Sequence, residues 1–164
     1  MPASIRLAVA ADFGAITDIY NHYVVASTST YDDQPVTAEE RVQAFELRPP
    51  IHPVTVAVRD GEIVGYGALN PFRSRGGYRF TVENSVYVRP DCHRQGVGSA
   101  ILTDQIERGQ SLGLHVIVAV IDAEQSASIA LHARYGFAEV GRMPQIGTKF
   151  GRWLDVIFMQ RLLE

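Results

Sequence analysis

The residues best placed to do chemistry lie in one run, VYVRPDCHRQGVGSAIL, from Val86 to Leu102. A β-branched stretch leads into Arg89-Pro90, then a loop carrying Gly96 and Gly98, then apolar residues at helical spacing. Glycines at a strand-to-helix turn let main-chain N–H groups approach a ligand. The partial positive charge of a helix start favours an anion, so this loop suits a diphosphate. A Walker loop needs Gly-Lys-Ser/Thr after its first glycine and four spacers, and that triplet is missing. A dinucleotide fingerprint needs a third small residue where Ile101 stands. Arg94 either meets phosphate beside this turn or is a solvated surface cation.

Two other segments carry suitable groups. The loop NPFRSR holds Arg73, Ser74 and Arg75, and a guanidinium fork matches the two oxygens of a carboxylate. Upstream of the glycine loop, Arg79 to Val88 alternates like a strand, with Thr81, Glu83, Ser85 and Tyr87 on one face and Val82, Asn84, Val86 and Val88 on the other. The lone cysteine, Cys92, lies close to the loop, but no acid–base set accompanies it, so an acyl-cysteine route is not favoured.

The elements that must hold these groups are readable in order. Ile5 to Val9 reads as a strand, and Asp12 to about Ala26 as a helix with Phe13, Ile16, Ile19, Tyr20 and Tyr23 on one stripe. Ser27 to Val36 is a loop, and Thr37 with Glu40 makes a capping box for a short helix that Pro49, Pro50 and Pro53 end. Val54 to Val58, the turn Arg59-Asp60-Gly61-Glu62, and Ile63 to Leu69 form a hairpin. Gly96 to Leu112 is a helix closed by Gly113. His115 to Ile121 is a strand covered on both faces, Ser126 to Tyr135 a helix ended by Gly136, and Ala138 to Ile146 and Arg152 to Leu162 two final strands. The order β-α-α-β-β-β-α-β-α-β-β defines an α/β (α+β) chain with a mixed, mostly antiparallel sheet flanked by helices.

Composition narrows the class. At 164 residues and 46% apolar, the chain is sized for one domain with its own core, residues 1–164. Fifteen basic against 18 acidic residues, scattered rather than clustered, give no nucleic-acid footprint. Charged residues or histidine interrupt every apolar run, so no membrane-spanning helix is expected. A single cysteine and an N-terminus without secretory features point to the cytoplasm.

The segment Arg94, Gln95, Gly96, Val97, Gly98, Ser99, directly after VRP, resembles the acyl-CoA pyrophosphate loop of the Gcn5-related N-acetyltransferase (GNAT) superfamily. IDAEQSASIALHARYGF, Ile121 to Phe137, resembles its second cofactor segment, and the likeness runs over essentially the whole chain. TVENSVYV, SIALHARYGF, GTKFGRWLD and NPFRSR are similar to the phosphinothricin and methionine sulfoximine N-acetyltransferases of that superfamily.

The resemblance implies the GNAT fold and acetyl transfer from acetyl-CoA, without a metal, to the α-amine of a small amino acid or analogue by direct attack. An α-amine is mostly cationic at pH 7, so a base helps, and the likeness places Glu83 beside substrate and thioester. The competing reading of Glu83 is a carboxylate paired with arginine or solvated. The backbone of Val86, Tyr87 and Val88 would pair with the pantetheine arm. His132 falls where many members carry a tyrosine that protonates the departing thiolate, with Tyr135 one turn later. It inherits that role or is a hydrogen-bonded packing residue. Gln125 replaces the usual asparagine and Ser128 follows it, both as cofactor contacts. Tyr31, Arg73, Ser74, Arg75, Glu83 and Asn84 are the implied acceptor contacts. The aromatics of Lys149-Phe150-Gly151-Arg152-Trp153 either pack between the last strands or border a second subunit, and a homodimer is expected. The rival activities are acetylation of protein N-termini or other amines, and CoA binding without turnover.

Overall fold

The computed structural model describes residues 1–164. In chain order its elements are β1 (Ser4–Leu7), α1 (Phe13–Ala26), α2 (Ala38–Glu46), β2 (Val54–Arg59), β3 (Glu62–Pro71), β4 (Thr81–Val88), α3 (Val97–Ser111), β5 (Val116–Asp122), α4 (Ser126–Arg134), β6 (Ala138–Lys149) and β7 (Arg152–Leu162). The local signals act as the sequence implies. Asp60 and Gly61 take φ of 52° and 79° and turn β2 into β3. Thr37 Oγ1 accepts from the Glu40 amide at 3.2 Å, and Glu40 Oε2 from the Thr37 amide at 3.0 Å, which fixes the start of α2. Gly113 and Gly136, at φ of 72° and 81°, supply left-handed conformations after α3 and α4.

Most boundaries shift by one or two residues from expectation, and three of the shifts have a visible local cause or irregularity. The first strand stops at Leu7, because Val9 turns to cap the next element and its amide donates to Asp12 Oδ2 at 2.8 Å. The fourth strand begins at Thr81 rather than Arg79, because Arg79 closes a 3-10 turn onto the Gly76 carbonyl. β6 runs on to Lys149, passing an irregularity between Met143 and Gly147 where Gln145 has φ of 54°.

The seven strands lie in the order β1-β2-β3-β4-β5-β7-β6. Every neighbouring pair is antiparallel except β4 with β5. That parallel pairing is brief: Thr81, Val82 and Glu83 face Val116, Ile117 and Val118, and the strands then part. β4 stays paired with β3 as far as Val88 opposite Gly65, while β5 stays paired with β7 as far as Asp122 opposite Val156. The sheet is therefore continuous at one end and split at the other.

Helices cover both faces of the sheet. On one face α1 buries Phe13, Ile16, Ile19 and Tyr23 against Val54, Val56, Tyr66 and Ala68. On the other, α3 buries Leu102 and Ile106 against Leu69, Val82 and Ile117. Each of these aliphatic side chains contributes about 1.5–3 kcal/mol on burial. α3 comes close because Gly67 has no side chain: a Cβ there would stand 2.6 Å from Ile101 Cγ2 and from Gln105 Nε2.

Candidate active site

The split between β4 and β5 opens into a cleft of about 940 Å3 lined by β4, β5, the start of α3, α4 and the loop after α1. Beyond Glu83 the β5-facing main chain of β4 has no strand partner, so Asn84 to Val88 present an unpaired edge to the cleft. At four steps of about 3.3 Å this edge is about 13 Å long. Val88 ends it, and its carbonyl accepts from the Tyr23 hydroxyl, which also meets His93 Nε2 at 2.7 Å. Burial pushes the Tyr23 hydroxyl up to about 12, so it stays protonated as a donor.

At the wide end of the cleft, Arg94 and Gly96 adopt left-handed φ of 59° and 81°. Gly96 caps α3 with no side-chain hydrogen bond, which leaves the first amides of the helix without intrahelical acceptors. Arg94, Gly96, Val97, Gly98 and Ser99 line the cleft there. Gln95 does not: its Nε2 donates to the Asp91 carbonyl at 3.0 Å, so its side chain is spent in holding the turn. Arg134, which the sequence reading missed, also lines the cleft and donates to Ser99 Oγ at 3.1 Å. Its signal was a basic residue in the last turn of α4, a position as often solvated as bound. Cys92 is 2% exposed, and Arg59 Nη2 lies 3.1 Å from its sulfur.

At the closed end, Glu83 is half-buried, no protein group donates to its carboxylate, and burial raises its pKa. His132 is buried, and its hydrogen bonds determine its tautomer. Nδ1 lies 2.8 Å from the Ser128 carbonyl, which only accepts, so Nδ1 carries the proton. Nε2 lies 3.0 Å from Asn84 Nδ2. Burial lowers the His132 pKa, against a smaller opposing effect of the Ser128 bond, so the ring is neutral and Nε2 accepts. Asn84 Nδ2 also donates to Gln105 Oε1 at 3.1 Å, and Gln105 Nε2 donates to the carbonyls of Ser85 at 2.8 Å and Ala68 at 3.3 Å. Tyr135 does not line the cleft.

The far wall is the loop after α1. Tyr31 donates its hydroxyl to Asp122 Oδ2, and Thr28 Oγ1 donates to Asp122 Oδ1 at 3.2 Å. Gln125 lines the cleft, but its Nε2 is committed to Thr28 Oγ1 at 3.0 Å, so its Oε1 is the atom left for a ligand. Lys149, 5% exposed, reaches in from the end of β6 and donates to the carbonyls of Ser27 at 2.6 Å, Thr30 at 2.8 Å and Tyr23 at 3.3 Å. Burial lowers its pKa, opposed by Asp32 and Asp33. Gly147 lies directly under the Tyr31 ring, where a Cβ would overlap it.

The structure does not bring Arg73, Ser74 and Arg75 to the cleft. They are exposed on the β3–β4 connection, which folds on itself: Arg73 lies over the Phe72 ring at 5.3 Å, Phe72 meets Tyr78, and the Tyr78 amide donates to the Arg75 carbonyl. The aromatics of the β6–β7 turn do not pack between strands either. Phe150 is 55% and Trp153 69% exposed, because Phe150 occupies the turn itself at φ of 53°.

A sheet split beside a glycine-capped helix defines a class, and comparison with known proteins agrees. The model of the acetyltransferase (GNAT) family matches residues 16–137, and the chain belongs to that family. Over 162 residues it is 44% identical to the L-amino acid N-acyltransferase MnaT of Escherichia coli, covering 98% of this chain and 94% of the relative. It is 45% identical to an L-methionine sulfoximine/L-methionine sulfone acetyltransferase of Pseudomonas aeruginosa, covering 100% and 96%. Among solved structures, a phosphinothricin acetyltransferase of Sinorhizobium meliloti in complex with acetyl-CoA superposes with a TM-score of 0.95 at 40% identity, covering 99% of this chain and 89% of that one.

Proposed function

We propose that the chain is a single catalytic domain that transfers acetyl from acetyl-CoA to the α-amine of a small amino acid or analogue of the methionine sulfoximine, methionine sulfone or phosphinothricin type. The observation that carries this reading is the unpaired β4 edge, with a glycine-capped helix start at one end and a half-buried carboxylate at the other. The first amides of α3, with Arg94 and Arg134, hold the pyrophosphate. The main chain of Val86 to Val88 pairs with the pantetheine arm as an added strand, and Gln125 Oε1 and Ser128 flank it. This places the thioester at the closed end, where a β4 amide stabilises negative charge developing on its oxygen.

Glu83 removes one proton from the attacking ammonium group. Its raised pKa makes it a stronger base than an ordinary carboxylate. As the tetrahedral intermediate collapses the C–S bond breaks, and the second amine proton passes through solvent in the cleft to the departing CoA thiolate. Tyr31 walls the acceptor side. Arg73 and Arg75 have no acidic partner, and the connection that bears them follows Asn70, which pairs with Glu83. We assign them to the acceptor's carboxylate once that connection closes over the mouth. No cluster of three or more His, Cys, Asp or Glu side chains is arranged to hold a metal ion, and the reaction as written needs none.

The active form is a homodimer. Val140, Met143 and Ile146 on the edge strand β6, Phe150 in the turn after it and Trp153 at the start of β7 are each about half exposed or more. The enzyme works in the cytoplasm, where acetyl-CoA is made, and acetylation of an antibiotic amino-acid analogue would confer resistance. No helix is long and apolar enough to cross a membrane.

Thiol release from acetyl-CoA, followed with L-methionine sulfone, L-methionine sulfoximine, phosphinothricin, ordinary amino acids and N-terminal peptides, tests the reading. Release that depends on a free amino acid supports it. Release with peptides alone, or acetyl-CoA binding without release, rejects it.

A further inference from the structure

We propose that His132 is a positioning residue rather than the proton donor to the departing thiolate, and that with Gln105 it orients the Asn84 amide so that Oδ1 accepts an amide N–H from the donor's pantetheine arm. This rests on the acetyl-CoA reading above and assigns a new contact within it.

The argument is a donor and acceptor count. The Ser128, Ser85 and Ala68 carbonyls can only accept, so His132 Nδ1 and Gln105 Nε2 must be the donors facing them. The atoms left over, His132 Nε2 and Gln105 Oε1, are then both acceptors, and both point at one group, Asn84 Nδ2. An amide nitrogen held between two acceptors cannot exchange places with its oxygen without facing lone pairs on both sides. The Asn84 orientation is therefore determined at two points.

Two consequences follow for the site. His132 Nε2 carries no proton, and its lone pair is occupied. The ring lines the cleft but is buried among Ser128, Asn84 and the edge-on Phe137 ring, 5.0 Å away, and no carboxylate bonds to it to favour the cation. Asn84 Oδ1 has no donor within the protein, yet Asn84 lines the cleft at the point where β4 leaves β5. Asn84 and Leu69, its partner across β3, share the face covered by α3, whereas Glu83 is on the opposite face. An acceptor on that face, one residue from the base, suits the N–H of a secondary amide near the thioester, with the amine arriving from the Glu83 side.

The test combines steady-state kinetics with L-methionine sulfone, pH–rate profiles, and calorimetry of acetyl-CoA binding to Asn84→Ala, His132→Ala, His132→Gln and the double alanine variant. Removing the acceptor should raise the acetyl-CoA KM and Kd of Asn84→Ala about tenfold. His132→Ala should do the same, and the double variant should be no worse than about twofold beyond Asn84→Ala, since both act through one contact. The glutamine in His132→Gln offers an oxygen to Asn84 but no titrating proton. It should restore kcat/KM to within about fivefold of the parent, with an unchanged pH profile. A hundredfold or greater kcat loss in His132→Gln together with loss of the alkaline limb would make His132 the acid and overturn the proposal. So would an unaltered acetyl-CoA Kd in Asn84→Ala. If no amine is acetylated but Asn84 still governs acetyl-CoA binding, the acceptor reading fails alone; if the parent protein does not bind acetyl-CoA, both fail.

Discussion

In the proposed reading, the donor side of the cleft comes mainly from one stretch of chain, Asn84 to Ser99, to which α4 and the residue before it add Arg134, Ser128 and Gln125. It acts mainly through main-chain groups and the left-handed turns at Arg94 and Gly96. The acceptor side is assembled from far-apart segments by side chains. Lys149 grips three carbonyls of the α1–α2 region, Asp122 holds Thr28 and Tyr31, and Gly147 makes room for the Tyr31 ring. A surface made of main chain keeps its chemistry through many side-chain changes, provided the conformation persists. A surface made of side chains changes with each substitution. The first arrangement suits a donor that does not vary, and the second suits an acceptor specificity that does.

The contrast can be broken at several points. Glu83→Gln should lower kcat about 10²–10³-fold at neutral pH and leave acetyl-CoA affinity unchanged, as transient kinetics and calorimetry would show. The same carboxyl carries a stability cost. Its folded-state pKa is raised, so the folded chain binds that proton more tightly than the unfolded chain, and stability falls as pH climbs from the ordinary carboxylate value through the raised one. Glu83→Gln should accordingly melt above the parent at neutral pH and lose that advantage in acid.

Lys149→Met strands three carbonyls and should cost about 2–3 kcal/mol in urea unfolding. Its KM for the amine should rise while that for acetyl-CoA stays near the parent's. Equal effects on both would erase the distinction between the two sides. A finer probe is the pair Arg94→Ala and Asp122→Asn, expected to raise the acetyl-CoA and amine KM values respectively, each about tenfold. Gly96→Ala should have the smallest effect, about 1 kcal/mol. A Cβ there meets nothing within 4 Å, so the cost comes from the left-handed backbone alone.

The same contrast explains what could be read from the sequence. Asp60-Gly61, the Thr37–Glu40 box and the glycines after β4 are local signals, and each acts on residues within a few positions of itself. Lys149 gave no such signal. A lysine is exposed by default, and its partners lie 119 to 126 residues away. The motif around it drew attention for its aromatics, which turn out to be exposed, while the unremarked cation is buried. Asp122 and Gln105 were missed for the same reason, since a polar residue in an apolar strand or on a helix shows its role only when distant segments arrive. Arg73 and Arg75 were legible as chemistry but not as placement, because the connection that carries them curls onto its own aromatics.

An exposed row of free amides and carbonyls at the rim of a sheet invites another polypeptide to dock and extend it, the usual first step toward aggregates. Here the vacant row lies inside the sheet, between two strands that converge at Glu83 and Val118. A slender arm can slide into such a wedge. A foreign β-strand with side chains on both faces would collide with the converging walls, so the fold keeps a docking edge available without the hazard that such edges bring.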